Sequence, residues 1–133
     1  MIENGCDLEK GRWYKRNDIP VYFGVQYNPG NWASGHVSLE AAICVFVTGD
    51  GAYSDECRQG LKGNGNFVWS SQSSTAPEGK KGREIIAGEK PVRIFYRKTK
   101  RERNCMFQYL GRFTYKSHKG SKPMCITFVP EDK

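Results

Sequence analysis

Val92 to Lys98 reads VRIFYRK, and how that run is used decides the fold. Val92, Ile94 and Tyr96 or Phe95 interleave with Arg93 and Arg97. That alternation has the two-residue period of a half-buried strand with its cations on one face. Working outward, short apolar runs recur along the chain: AICVFVT at Ala42 to Thr48, FVWS at Phe67 to Ser70, CMFQYLGRFTY at Cys105 to Tyr115, and MCITFV at Met124 to Val129. Gly, Pro, Asn and Ser punctuate them, as between strands. Helix signals are weaker. Asn17 and Asp18 offer capping side chains for a short helix within Tyr14 to Phe23, which Pro20 stops. Pro77 to Ala87 has room for another turn or two, interrupted by Gly79 and Gly82. The expected fold class is mainly β: a single antiparallel or mixed β-barrel with one or two short helices and long binding loops. The loops are Gln26 to Gly35 (QYNPGNWASG) and Ser70 to Gly82 (SSQSSTAPEGKKG), polar and Gly-rich.

The 133 residues suffice for one domain with a real core. No apolar run approaches the length of a membrane span, and no charged-then-apolar leader opens the chain, so neither a span nor a signal peptide is expected. The cysteines Cys6, Cys44, Cys57, Cys105 and Cys125 contain no C-x-x-C pair, which argues against a zinc ribbon. Their odd number favours free thiols in a reducing compartment, with Cys44 and Cys125 in the core. The expected location is the cytoplasm or nucleoid, or the nucleus in a eukaryote.

Charge is distributed unevenly. Lys80 to Lys122 carries fourteen Lys/Arg against three acids, while the preceding residues are slightly acidic and the whole chain has a net charge of +7. A polyanion is the natural partner of such a surface, because neutralising phosphates releases counterions; a solvated face is the plainer alternative. Catalytic signatures are missing from the sequence. The two histidines, His36 and His118, are far apart, and GLKGNG at Gly60 to Gly65 lacks the Lys-Ser/Thr ending of a P-loop, so it reads as a hairpin turn. A Cys/His nucleophile that meets only in the fold stays open. The chain is read as a non-catalytic binding domain needing no cofactor or metal.

Aromatic residues near the polar loops supply candidates for a base pocket: Tyr27, Trp32 and Trp69, with Ser71 and Gln72 as hydrogen-bonding groups. Candidates for the phosphate backbone are Arg16, Arg97, Lys98, Lys100, Arg101, His118, Lys119 and Lys122. Arg97 to Arg103 surround a hairpin tip whose like charges repel unless a partner offsets them. Ser117 to Lys122 (SHKGSK) reads as a small, flexible, cationic loop.

FVWSSQSST, VRIFYRKTKRE and FQYLGRFTYKSHKGSKPM together resemble a C-terminal domain of unassigned function in some bacterial superfamily-2 helicase proteins with restriction-like partners. The matching positions are Trp69, Ser71 and Gln72; Arg97 and Lys98; Tyr109 and Gly111; and Ser117, His118, Gly120 and Pro123. WYKRNDI at Trp13 to Ile19, the Phe23-Gly24 turn and VFVTGDG at Val45 to Gly51 are similar to modification-sensing SRA- and PUA-like domains that precede HNH nuclease modules. The resemblance implies a PUA/SRA-like barrel at 12–129, flanked by an N-terminal extension at 1–11 and a tail at 130–133. It also implies a reader of methylated or hydroxymethylated cytosine in double-stranded DNA, flipping the base onto aromatics in defence or restriction. A nuclease or helicase module would be its partner, and no membrane. A phosphorothioate-DNA reader, an RNA-binding PUA-like module and an unrecognised enzyme are the alternatives.

Overall fold

The strands are β1 (Trp13–Tyr14), β2 (His36–Ser38), β3 (Ile43–Thr48), β4 (Gly60–Leu61), β5 (Phe67–Ser70), β6 (Val92–Arg97), β7 (Phe107–Lys119) and β8 (Cys125–Pro130). Among the described residues, helix α1 (Lys80–Ala87) precedes β6, and two 3-10 turns, Arg16–Asp18 and Pro20–Phe23, follow β1. This is a computed structural model, and it describes residues 8–28, 32, 36–39, 42–48, 60–61, 65–70, 79–97, 99, 106–120 and 124–131. The protein is mainly β, as the short apolar runs predict.

Strand order is β2-β3-β6-β7-β8-β5-β4, with β1 paired to the start of β7. Neighbours are antiparallel except β3 and β6, which run parallel with Ile43 opposite Val92 and Thr48 opposite Arg97. The expected barrel does not form: among the described residues β2 and β4 lie at the two ends of the order, and the sheet stays open. The parallel pair explains why. Its crossover carries α1 onto one face, and the N-terminal segment lies on the other, so covering layers bury the sheet where a barrel would close on itself.

The two faces hold two cores. Ile43, Val45, Val47, Val92 and Ile94 pack beneath Ile85 of α1, while Cys44, Phe46 and Phe95 face Tyr14, Ile19, Phe23 and Trp32 of the N-terminal layer. VRIFYR is therefore covered on both sides, and Arg93 is 3% exposed. This corrects the half-buried reading: a central strand has no wet face, whatever its alternation. Arg93 donates to the Tyr109 hydroxyl at 2.5 Å and lies 5.8 Å from the Phe23 ring, while its Nε has no partner among the described residues.

A bulge in β7 lets one strand serve both cores. Ile94 stands opposite Gly111 but Phe95 opposite Tyr109, which leaves Leu110 extra. Gly111 has φ +108, a conformation that side-chain-bearing residues rarely adopt. The extra residue reverses the parity, so Phe107 and Tyr109 join the N-terminal core whereas Phe113 joins the helix side. A second irregularity between Tyr115 and Ser117 does the same at Lys116.

Other expectations divide by element. Gly60 and Leu61 of GLKGNG pair antiparallel with Val68 and Phe67, and Lys62 to Asn64, the expected turn, lie outside the described residues. SHKGSK is only partly loop: Ser117, His118 and Lys119 are strand residues paired with Thr127, Ile126 and Cys125. Pro20 begins the second 3-10 turn, where its fixed φ and missing N–H are harmless, and neither turn carries a side-chain cap. Cys125 is in a disulfide whose partner lies outside the described residues, which corrects the all-thiol reading. Cys44 is a free, buried thiol, pushed up by burial against the opposing pull of Arg93.

Candidate nucleic-acid interface

Two arginines remote in sequence meet over one ring. Arg16 leaves β1 in the first 3-10 turn, and its guanidinium lies 4.6 Å from the Phe46 ring centroid and 5.0 Å from that of Phe107. Arg97, the last residue of β6, lies 4.1 Å from the same Phe107 centroid. Parallel registry places Thr48 opposite Arg97, and Arg97 Nε donates to Thr48 Oγ1 at 2.9 Å. Arg16 donates to the Trp32 carbonyl at 2.7 Å. Phe46 and Phe107, both buried, meet edge to face at 5.2 Å and form the floor of the site.

Burial and then the charge of Arg97 pull the Arg16 guanidinium below its ordinary value, while Tyr27 pushes it back up. Both groups remain cations at neutral pH. Holding two of them against one ring concentrates positive potential, and each guanidinium presents a planar fork matched to phosphate oxygens. Tyr27, 41% exposed, stands close enough to act on Arg16 electrostatically. Of the residues expected from sequence, Arg16, Arg97 and Tyr27 thus come together.

The tryptophans do not join them as a pocket. Trp32 is 2% exposed against Phe23 and Phe46 in the N-terminal core, and Trp69 is 3% exposed against Phe128 and His36 in the helix-side core. The two indoles lie on opposite faces of the sheet and cannot sandwich one base. Trp32 contributes through its carbonyl instead. His118 and Lys119 sit at the far end of β7, where the Tyr115 hydroxyl meets His118 Nδ1 at 2.6 Å. Ser71, Gln72, Lys98, Lys100, Arg101 and Lys122 lie outside the described residues. Sequence reasoning missed Phe46, Thr48 and Phe107, because their part depends on the parallel registry of β3 with β6 and on the pairing of β1 with β7, which periodicity cannot reveal.

A second polar cluster ties α1 to β2. Ser38 Oγ donates to Glu84 Oε1 at 2.5 Å and lies 3.2 Å from His36 Nε2, which is itself 3.7 Å from Glu84. Lys90 Nζ reaches Glu84 Oε2 at 3.3 Å and the Leu39 carbonyl at 2.7 Å. Burial pushes the Glu84 carboxyl up, but bonds from Ser38 and Lys90 and the charges of Lys90 and His36 win, holding it below the ordinary carboxylate range. A depressed folded-state value stabilises the fold above the unfolded value and is lost as pH falls through the folded one. Glu84→Gln should therefore flatten the acid limb of stability below about pH 4.5. Thermal melts of both proteins across that range check this, and superimposable acid limbs would refute it.

Among the described residues no three His, Cys, Asp or Glu side chains gather as metal ligands, and no helix is long and apolar enough to cross a membrane. No protein-family profile matches the chain, and no curated protein matches it in sequence.

Proposed function

We propose that the protein is a duplex-DNA-binding module that grips the phosphate backbone through Arg16 and Arg97. The observation that carries this reading is the convergence of both half-buried guanidiniums on the Phe107 ring, 5.0 and 4.1 Å from its centroid, near the exposed Tyr27. Guanidinium N–H groups are well matched to phosphate oxygens, and the aromatic floor brings the two groups to one place. The basic excess from Lys80 to Lys122 strengthens the same polarity. Within this reading, any contact with a methylated or hydroxymethylated cytosine falls to Tyr27 among the described candidates, since Trp32 and Trp69 are core residues. Backbone contacts supply affinity and orientation, and only base contacts supply choice.

Binding to duplex DNA, followed by fluorescence anisotropy against salt, tests the proposal. The logarithm of affinity should fall linearly with the logarithm of salt concentration. Arg97→Gln should weaken binding roughly tenfold at low salt and reduce the slope by about one, equally for plain and modified cytosine duplexes. Salt-insensitive binding, or an unaltered Arg97→Gln protein, would overturn it. Single-stranded DNA and structured RNA in the same titration decide whether the duplex is the preferred ligand.

A further inference from the structure

We propose that the buried guanidinium of Arg93 holds a small monovalent anion, of halide size, between the sheet and the N-terminal layer. Cross-strand registry gives the first reason. Arg93 has Cys44 opposite it on β3 and Arg112 opposite it on β7, on the face turned to Phe23 and the N-terminal layer. Two arginines directly opposite one another are a destabilising pair unless opposite charge meets them. Arg112 is answered at the surface, where its Nε lies 3.1 Å from Glu131 Oε2. Arg93 is not. It is buried, it donates from Nη1 to the Tyr109 hydroxyl, and among the described residues no carboxylate pairs with it and its Nε has no acceptor.

An uncompensated buried charge is among the costliest arrangements a protein core can contain. The nearest groups able to ionise do not supply the missing charge. Burial pushes the Cys44 thiol up against the pull of Arg93. Burial likewise pushes the Tyr109 hydroxyl up, and the charges of Arg93 and Arg112 and the bond from Arg93 only partly oppose it. Both groups keep their protons at neutral pH. Beside the guanidinium they are therefore further donors, not counter-charges.

Charge and burial select the ligand. A water molecule could accept from Arg93 Nε but would leave the positive charge standing, whereas a monovalent anion answers both needs. Phe23, whose ring lies 5.8 Å from the guanidinium, is buried, as are Tyr109 and Cys44, so a ligand here is enclosed and must shed its own hydration shell. That favours a weakly hydrated halide over a strongly hydrated divalent oxyanion. It also excludes a DNA phosphate, which cannot leave its backbone. The site involves neither Arg16 nor Arg97, so its test is independent of DNA binding.

Thermal melts at one total sodium concentration, with gluconate exchanged stepwise for chloride or bromide, provide the test. The melting temperature should rise along a saturating curve, by about 5 °C at about tenfold the half-saturating concentration. Arg93→Met should abolish this dependence yet melt within about 2 °C of the parent in gluconate, because the costly charge leaves with the site. A misfolded protein cannot mimic that result. Tyr109→Phe keeps the ring and should shift half-saturation to several-fold more bromide. In bromide-soaked crystals, an anomalous peak should lie within hydrogen-bonding reach of Arg93 Nε. A melting temperature indifferent to halide, as a carboxylate from elsewhere in the chain would produce, overturns the proposal. So does an Arg93→Met protein with the parent's halide dependence, or bromide that gathers only at surface cations.

Discussion

Phe107→Ala should lower the free energy of unfolding by about 3–5 kcal/mol, among the larger effects available to a single core substitution. Phe107 is 1% exposed, meets Phe46 edge to face, and forms the surface on which Arg16 and Arg97 rest. Removing the ring opens a cavity beneath two cations, so the loss includes transfer, packing and cation–π contributions together. Phe107→Leu separates them. It keeps most of the apolar volume but no π face, and should lower stability by about 1–2 kcal/mol while weakening DNA binding by a larger factor than its stability loss accounts for. Urea denaturation midpoints give the first quantity and anisotropy titration gives the second. If Phe107→Leu binds DNA as well as the parent, the ring is packing only and its role in the site is disproved.

Gly111→Val should be nearly as severe, about 3 kcal/mol, with Gly111→Ala at about 1–3 kcal/mol. The side chain that a Cβ would meet is the flexible stem of Lys10 at 3.4 Å, which can move aside. The backbone cannot, because φ +108 is strained for any L side chain and worst for a β-branched one. The alternative open to the variant is to lose the bulge, and a one-residue slip turns Phe107 and Tyr109 away from the N-terminal core. Thermal melts with near-ultraviolet circular dichroism distinguish strain from slippage, since only slippage changes the aromatic signal of the folded state. A Gly111→Val protein within about 0.5 kcal/mol of the parent would show that the bulge is not needed.

The strands legible in the sequence are those with apolar runs long enough to fill a covered sheet: AICVFVT, FVWS, VRIFYR and MCITFV each fall on or within two residues of an observed strand. What was not legible is position within the sheet. Alternation in VRIFYR predicts one wet face, yet parallel β3 on one side and antiparallel β7 on the other make the strand central and Arg93 buried. Trp32 misleads for a related reason. Its neighbours in sequence are Gly-rich and polar, but the indole itself lies in the core between Phe23 and Phe46. The barrel expectation counted strands and could not see that α1 and the N-terminal segment would cover the two faces separately. Arg16 and Arg97 were each visible as cations, but their meeting depends on β1 pairing with Phe107 and Gln108, a contact between opposite ends of the chain.

That last pairing has a consequence for the order in which the protein can be made. The segment from Leu8 to Trp32 leaves the ribosome well before the residues it packs on, Phe95, Phe107 and Tyr109. Until β6 and β7 exist, its Tyr14, Ile19 and Phe23 have no partner surface, and closing so long a loop is a slow step. The sheet must assemble before its first-made layer can dock, so Arg16 reaches Arg97 only near the end of folding. The two guanidiniums come together last, after the scaffold is complete, and an unfinished chain carries the charges without that geometry.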